Sequence, residues 1–431
     1  MLTRRAALAA GLFTTLPLPA RAASGPVAIV GAGAAGLAAA EMFRRAGHPF
    51  VLVEARDRIG GRAHTDRFLG PESSFDAGAQ YIHWAERNPW SAIARKRGVK
   101  LSDQDGWARN LFIDGRPATE AERTQRRAGF AGLDSMIAPK GEDASLADEV
   151  RLAAPEVQAA VSGLSRLSLG EDPARVSAVD YDRLWSGSDL WVDGYGDLVA
   201  RHYAHLPVRL NCPVQRIDWS GPGVRLNLQD GTLDAAAAIV TVPVGVLKSE
   251  SLAFTPALPS PTQAALNGLT MGAYTKVALR LDRAKVDPRA IGDAVSVMRD
   301  GPTIYLEMGP FGHPVAIANL GGDMARDLCR AGEAAAVSLA TERLAVLLGT
   351  QTTGAVTGGR LAGWWTDPFA RGSYSIALPG HGDARETLHA PIGERIFLAG
   401  EALAGPRAMT VGGATLDGER AAKELLKRLP A

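Results

Sequence analysis

Gly31-Ala32-Gly33-Ala34-Ala35-Gly36 sets three glycines where a turn can meet phosphate, and Glu54 follows 23 residues after the first of them. Gly31 allows the tight turn, Gly33 lets backbone approach a pyrophosphate, and Gly36 lets the next helix pack on its strand. Free N–H groups at that helix start, with Ala35 in its first turn, favour phosphate oxygens. Glu54 can accept hydrogen bonds from a ribose diol and would repel a 2′-phosphate, which disfavours NADP. A second pair, Gly60-Gly61, is flanked by Arg56 and Arg62. It lets another backbone segment come close, and Arg62 can neutralise phosphate charge. The chemistry is dinucleotide binding, and the turn alone does not separate NAD from FAD.

Such residues need a βαβ frame. Pro26 to Val30 is the unbroken apolar run of a strand buried on both faces of a parallel sheet. Leu37 to Ala46 holds good helix formers with Gly47 as a left-handed stop, and Phe50 to Val53 is a second strand ending at Glu54. Val224 to Leu228, the Asp230-Gly231 turn and Ala237 to Pro243 read as a small antiparallel meander. Ile396 to Glu401 and Met409 to Ala414, with a helix through Lys427, read as another strand, turn and helix start. Asn88 to Leu190 is mostly helical by composition, with loop punctuation at Asp114-Gly115. Ser251 to Leu388 holds strands at Thr275 to Leu281, Thr303 to Met308, Val315 to Leu320 and Arg360 to Trp365, plus a helix over Glu333 to Leu348.

The charge balance, 47 basic against 46 acidic side chains, argues against a nucleic-acid or polybasic membrane partner. Two cysteines, Cys212 and Cys329, cannot make a disulfide framework, and no Cys/His spacing suggests a metal. Residues 1–22 show a basic start at Arg4-Arg5, a short apolar stretch and a small-x-small cleavage site. They are expected to be a twin-arginine-like export leader to the periplasm or outside, too short for a membrane span. Only eight of the basic residues are lysine, so Lys276 inside an apolar strand stands out. Period two sets it on one face with Tyr274, Ala278 and Arg280, and spacing alone reads it as a solvent-facing lysine.

From Glu54 to Arg62 the sequence resembles the flavin-containing amine oxidases, which include monoamine oxidases, polyamine oxidases and lysine-specific histone demethylases. The resemblance recurs at Gly78-Ala79-Gln80-Tyr81-Ile82-His83, at Trp191 to Gly196, around Val214, at Trp364 to Ser375 and at Gly400-Glu401 through Val411. It implies an α/β protein with a Rossmann-like FAD-binding domain (23–87, 191–250 and 389–431). An α+β substrate domain is interleaved with it: 88–190, mostly helical, and 251–388, sheet and helix.

The resemblance also assigns roles. Gly78 to Tyr81 would run beside the flavin, Val214 would hold the adenine through its backbone, and Trp364 would belong to the cofactor site. Glu401 would bind the phosphate–ribitol region, and the amide near Val411 would face the flavin pyrimidine. Lys276 would hold a water next to flavin N5, and Tyr374 would be one wall of an aromatic cage for the amine. His83 could meet a remote amine or polar group of the substrate, although an ordinary hydrogen-bonded histidine is the simpler reading. Two departures matter. Ser373 stands where monoamine oxidases carry a cysteine attached to FAD, so the FAD is expected to be non-covalent. Thr410 replaces the second cage tyrosine and opens that wall. The implied reaction is hydride transfer from the α-carbon of an amine, polyamine-like or secondary, to the flavin. Imine hydrolysis and reoxidation by oxygen to hydrogen peroxide follow. The alternatives are a flavin dehydrogenase or desaturase with another electron acceptor, an amino-acid oxidase and a flavin-binding sensor without turnover.

Overall fold

The computed structural model describes residues 25–103, 110–288, 292–298 and 303–429, so the leader expected at 1–22 lies outside the described residues. Val27–Val30 forms β1, Ala34–Arg45 forms α1 and Phe50–Val53 forms β2. The two strands join Val208–Arg209, Ala237–Val240 and Ile396–Leu398 in a five-stranded parallel sheet ordered 208–209, β2, β1, 237–240, 396–398. β1 shows why such a strand is apolar throughout. Val27 and Ile29 enter one core with Leu37 and Phe43 of α1, whereas Ala28 and Val30 enter a second with Ile217, Leu226 and Ile396.

The helix Val411–Leu426 lies on α1 so closely that a Cβ on Gly418 would stand 2.1 Å from the Ala35 carbonyl oxygen. Only glycine permits that approach. Ala34, Ala35, Val411 and Ala414 pack together where the two helices begin, and all four line one cleft.

A second, seven-stranded sheet runs in the order 356–362, 274–281, 315–321, 303–308, 294–297, 110–113, 116–117. Helix Glu333–Leu348 keeps the bounds expected for it and buries Ala336, Ala340 and Leu344, one per turn, against Val277, Leu279 and Leu320. The alternation that sends Val277 and Leu279 toward this helix sends Tyr274 and Lys276 into the cleft.

Three expectations are corrected. Ala237–Val240 does not complete the meander; it pairs with β1 at the centre of the parallel sheet, which its four consecutive buried residues require. The strand Val224–Leu228 lies instead between Gly231–Ala235 and Val214–Asp218, with Ala253–Thr255 beyond the latter. The strand expected over Arg360 to Trp365 is Val356–Ala362, because Trp364 N–H turns back to the Ala362 carbonyl. The stretch 88–190 is helical in large part but also carries the hairpin Asn110–Ile113 and Arg116–Pro117. There Asp114 and Gly115 take φ of 48° and 81°, the left-handed pair of a tight hairpin turn.

Candidate active site

A cleft of about 860 Å³ runs from the glycine turn to Lys276 and Tyr374, a volume usual for a cofactor or substrate site. Gly31 takes φ of 100° and its N–H donates to the Val53 carbonyl at 2.8 Å. A Cβ on Gly36 would lie 1.9 Å from the Gly31 oxygen, while one on Gly33 would meet nothing within 4 Å. Gly36 therefore serves the helix–strand contact and Gly33 faces the open cleft. Buried Glu54 accepts from the N–H of Ala32 at 2.7 Å and of Arg56 at 2.9 Å, which fixes the carboxylate at the end of β2. Gly60 donates to the Ala32 carbonyl, and the α-carbon of Gly33 touches Gly61. The two glycine segments thus interlock along one wall. Val214 lines the same end, next to Cys212, whose N–H donates to the Glu54 carbonyl.

The arginines are held by acids. Arg56 donates to both oxygens of Asp367 at 2.9 and 2.6 Å and lies over the Trp364 ring, while Trp364 donates its indole N–H to the Ala77 carbonyl. Arg62 does not stand free to neutralise phosphate, since it donates to the Ser373 carbonyl at 2.7 Å and to Glu401 at 3.0 Å. Burial alone would push the Glu401 carboxyl up. Arg62, Arg385 and the Ser375 hydroxyl hold it below its usual value, so it stays ionised. Gly400, at φ of 146°, donates to Asp417.

Lys276 is buried, not solvent-facing. Its Nζ donates to the Asp76 carbonyl at 2.8 Å, to the Gly78 carbonyl at 2.9 Å and to Gln80 Oε1. Three acceptors match the three hydrogens of an ammonium. Burial nevertheless lowers its proton affinity, opposed by Glu307 and Asp76. Gly78 is held against Arg62, whose carbonyl oxygen would be 1.7 Å from an added Cβ. Ala79 and Tyr81 complete this wall, and Tyr81 packs on Trp191 with ring centroids 5.8 Å apart.

Tyr374 donates its hydroxyl to the Ser168 carbonyl at 2.8 Å and stacks near Tyr274, centroids 6.4 Å apart and planes at 29°. Thr410 reaches the cleft, but its hydroxyl caps helix Val411–Leu426, accepting from Gly413 N–H and donating to the Arg407 carbonyl. That hydroxyl is structural. Ser373 Oγ is likewise occupied, donating to the Gly272 carbonyl and accepting from Tyr274 N–H. His83 is half-exposed at the rim and pairs with Asp189 at 2.9 Å.

Several cleft residues carried no role in the sequence reading. Tyr305 and Glu307 share the inner face of Thr303–Met308, while Ile304, Leu306 and Met308 face the core. The signal was an acid at an alternate position of an apolar strand. Asp134, Asp182 and Asp189 line the mouth with Trp185. Among the described residues no helix is long and apolar enough to cross a membrane, and no cluster of His, Cys, Asp or Glu could hold a metal.

A glycine turn under a parallel sheet, a fixed ribose-height acid and a second, aromatic compartment along the same cleft define a dinucleotide-dependent oxidoreductase. The glycine cradle and the aromatic lining of one continuous cleft fit a flavin nucleotide. The chain belongs to the flavin containing amine oxidoreductase family, whose model matches residues 34–175 and 145–426. It is 28% identical to polyamine oxidase 4 of Oryza sativa subsp. japonica, across 96% of this chain and 91% of that protein. It is 27% identical to polyamine oxidase 2 of Arabidopsis thaliana, across 94% and 88%. Lysine-specific histone demethylase 2 of Homo sapiens is also 27% identical, over 93% of this chain and 53% of that protein. In fold it is similar to a putrescine oxidase redesigned in its cofactor binding, with a TM-score of 0.73, 19% identity, and 94% and 99% of the two chains covered. The α/β fold and amine-oxidising class expected above are those of the family.

Proposed function

We propose that this chain is an FAD-dependent oxidase of diamines, polyamines or similar secondary amines, with oxygen as its electron acceptor. The observation that carries the reading is the sign of the substrate half of the cleft. Asp134, Asp182 and Asp189 line its mouth with Trp185, and the rings of Tyr81, Tyr274 and Tyr374 line it further in. Acids at the mouth suit an approaching polycation, and aromatic faces suit the amine end. The arginines lining the cleft among the described residues, Arg56 and Arg62, are paired with Asp367 and Glu401, which speaks against recognition of an amino-acid carboxylate.

Bound FAD would supply the two-electron acceptor for the hydride leaving the amine α-carbon. The protein's part is positioning. Gly31, Gly33, Gly61 and Glu54 would hold the dinucleotide, Glu401 and the Val411 helix start its flavin end, and Tyr374 beside Tyr274 the neutral amine. The oxidised amine is an imine that hydrolyses to a carbonyl product, releasing ammonia from a primary amine or a shorter amine from a secondary one. Lys276 favours oxygen over a carrier, because a buried cation in the cleft stabilises negative charge formed as oxygen is reduced to hydrogen peroxide.

An anaerobic panel of amines is expected to bleach the yellow protein with putrescine- or spermidine-like substrates, and admission of air to restore the colour with one hydrogen peroxide per turnover. Bleaching without peroxide on aeration would favour the dehydrogenase. No bleaching by any amine would refute the reading. Acid precipitation is expected to leave the flavin in the supernatant, since neither Ser373 nor the buried free thiols Cys212 and Cys329 offer the expected attachment. Yellow precipitate would overturn non-covalent binding.

A further inference from the structure

Glu307 is fully buried, and its Oε1 accepts from the Nε2 of Gln80 at 2.6 Å. The other end of the same amide, Oε1, accepts from Lys276 Nζ. Gln80 therefore bridges a buried acid and a buried base that come from strands 303–308 and 274–281 of the large sheet, with strand 315–321 between them. We propose that Glu307, acting through Gln80, is the positioning residue that keeps Lys276 protonated and fixed in the cleft.

The bridge fixes orientation as well as charge. Donation to Glu307 through Nε2 turns Gln80 Oε1 toward Lys276, completing the three acceptors around the ammonium. The other two acceptors are backbone carbonyls of Asp76 and Gly78 and cannot rotate away. The negative charge that compensates the ammonium at this depth comes from Glu307 and Asp76. Asp76 is largely committed elsewhere, accepting from Tyr195 N–H, Gly196 N–H and the Thr65 hydroxyl. Burial pushes Asp76 up to about 6 and Glu307 up to about 7, with Lys276 and Gln80 drawing Glu307 back down. The other groups facing Glu307 are Asp293, the Asn319 amide and the phenols of Tyr81, Tyr274 and Tyr305. Lys276 is the cation acting on Glu307, so the two ionisations are coupled.

The inference rests on the proposed placement of Lys276 beside bound flavin, and the test separates the two. Holoenzymes with Glu307→Gln, Lys276→Met and both substitutions are titrated for the flavin midpoint potential against pH, alongside the pH profile of reoxidation. Gln at 307 keeps a carbonyl oxygen for the Gln80 N–H and removes only the charge. The break in the potential–pH line due to Lys276 is expected to move down by about one pH unit or more, the size a nearby opposite charge produces. Both Lys276→Met proteins should lack that break, making the two substitutions non-additive. An unmoved break, or an equal effect of Glu307→Gln in the Lys276→Met background, overturns the inference. A raised KM for diamines with an unmoved break also overturns it, and assigns Glu307 to substrate. A wild-type break that survives Lys276→Met refutes the placement of Lys276 and the inference with it. Gln80→Met cuts the bridge while both charges stay, so it provides the test where Glu307→Gln does not fold. It is expected to move the break in the same direction by less, and no movement overturns the bridge.

Discussion

Lys276→Met is expected to leave anaerobic reduction by amine close to wild type and to slow reoxidation of the reduced enzyme by air by roughly 10²-fold or more, the scale of a positioned acid–base group. Met fills nearly the same volume without donors or charge. The loss strands the Asp76 and Gly78 carbonyls and Gln80 Oε1 as buried acceptors, and leaves Glu307 without its cation. Each stranded acceptor costs about 1–3 kcal/mol, so the variant should melt lower while still binding flavin. The measurement is stopped-flow reoxidation after stoichiometric reduction, with the melting temperature as control. Unchanged reoxidation in a folded, yellow variant would falsify the role of Lys276.

The second large effect separates two glycines of one turn, Gly33 and Gly36, by what each makes room for. Gly36→Ala drives a methyl to 1.9 Å from the Gly31 carbonyl oxygen and 3.0 Å from the Thr241 hydroxyl. Backbone must move, at about 1–3 kcal/mol or more, and α1 shifts off the sheet. Gly33→Ala meets no protein atom within 4 Å. Its methyl instead enters the cleft where the proposed pyrophosphate would lie. The expected outcome is a lowered melting temperature for the Gly36→Ala apoprotein. The Gly33→Ala apoprotein should melt like wild type but bind added flavin about tenfold more weakly or worse, a loss of about 1.4 kcal/mol in binding. Unweakened flavin binding by Gly33→Ala would remove the pyrophosphate from that position.

How much of this was legible follows from range. β1, α1, β2 and Glu54 lie within one βαβ unit, so run length, glycine spacing and an acid at the strand end suffice. Helix Glu333–Leu348 was equally plain from its own composition. Ala237–Val240 was misread because an apolar strand does not say which sheet it joins; only its pairing with β1 and Ile396–Leu398 does. Lys276 was singled out by resemblance, since a lysine at an alternating position reads as exposed until Asp76, Gly78 and Gln80 are folded over it. The Arg56–Asp367 pair spans 311 residues and the Gln80–Glu307 contact 227, distances at which no local pattern operates. Thr410 shows the converse: it was legible as a lost tyrosine, whereas its work as a helix cap needed the backbone of Gly413 in place.

The seat of Gly418 on the Ala35 carbonyl has a consequence for the order of events during synthesis. The glycine turn leaves the ribosome well before the helix that closes over it, Val411–Leu426, has been made. Arg62 likewise waits for Glu401, 339 residues downstream. A nascent chain thus carries a recognition turn with one side open, and a nucleotide bound there would be enclosed only after residues 411–426 have emerged. Shortening the chain within 411–426 would leave the N-terminal half of the site intact in sequence and without its cover.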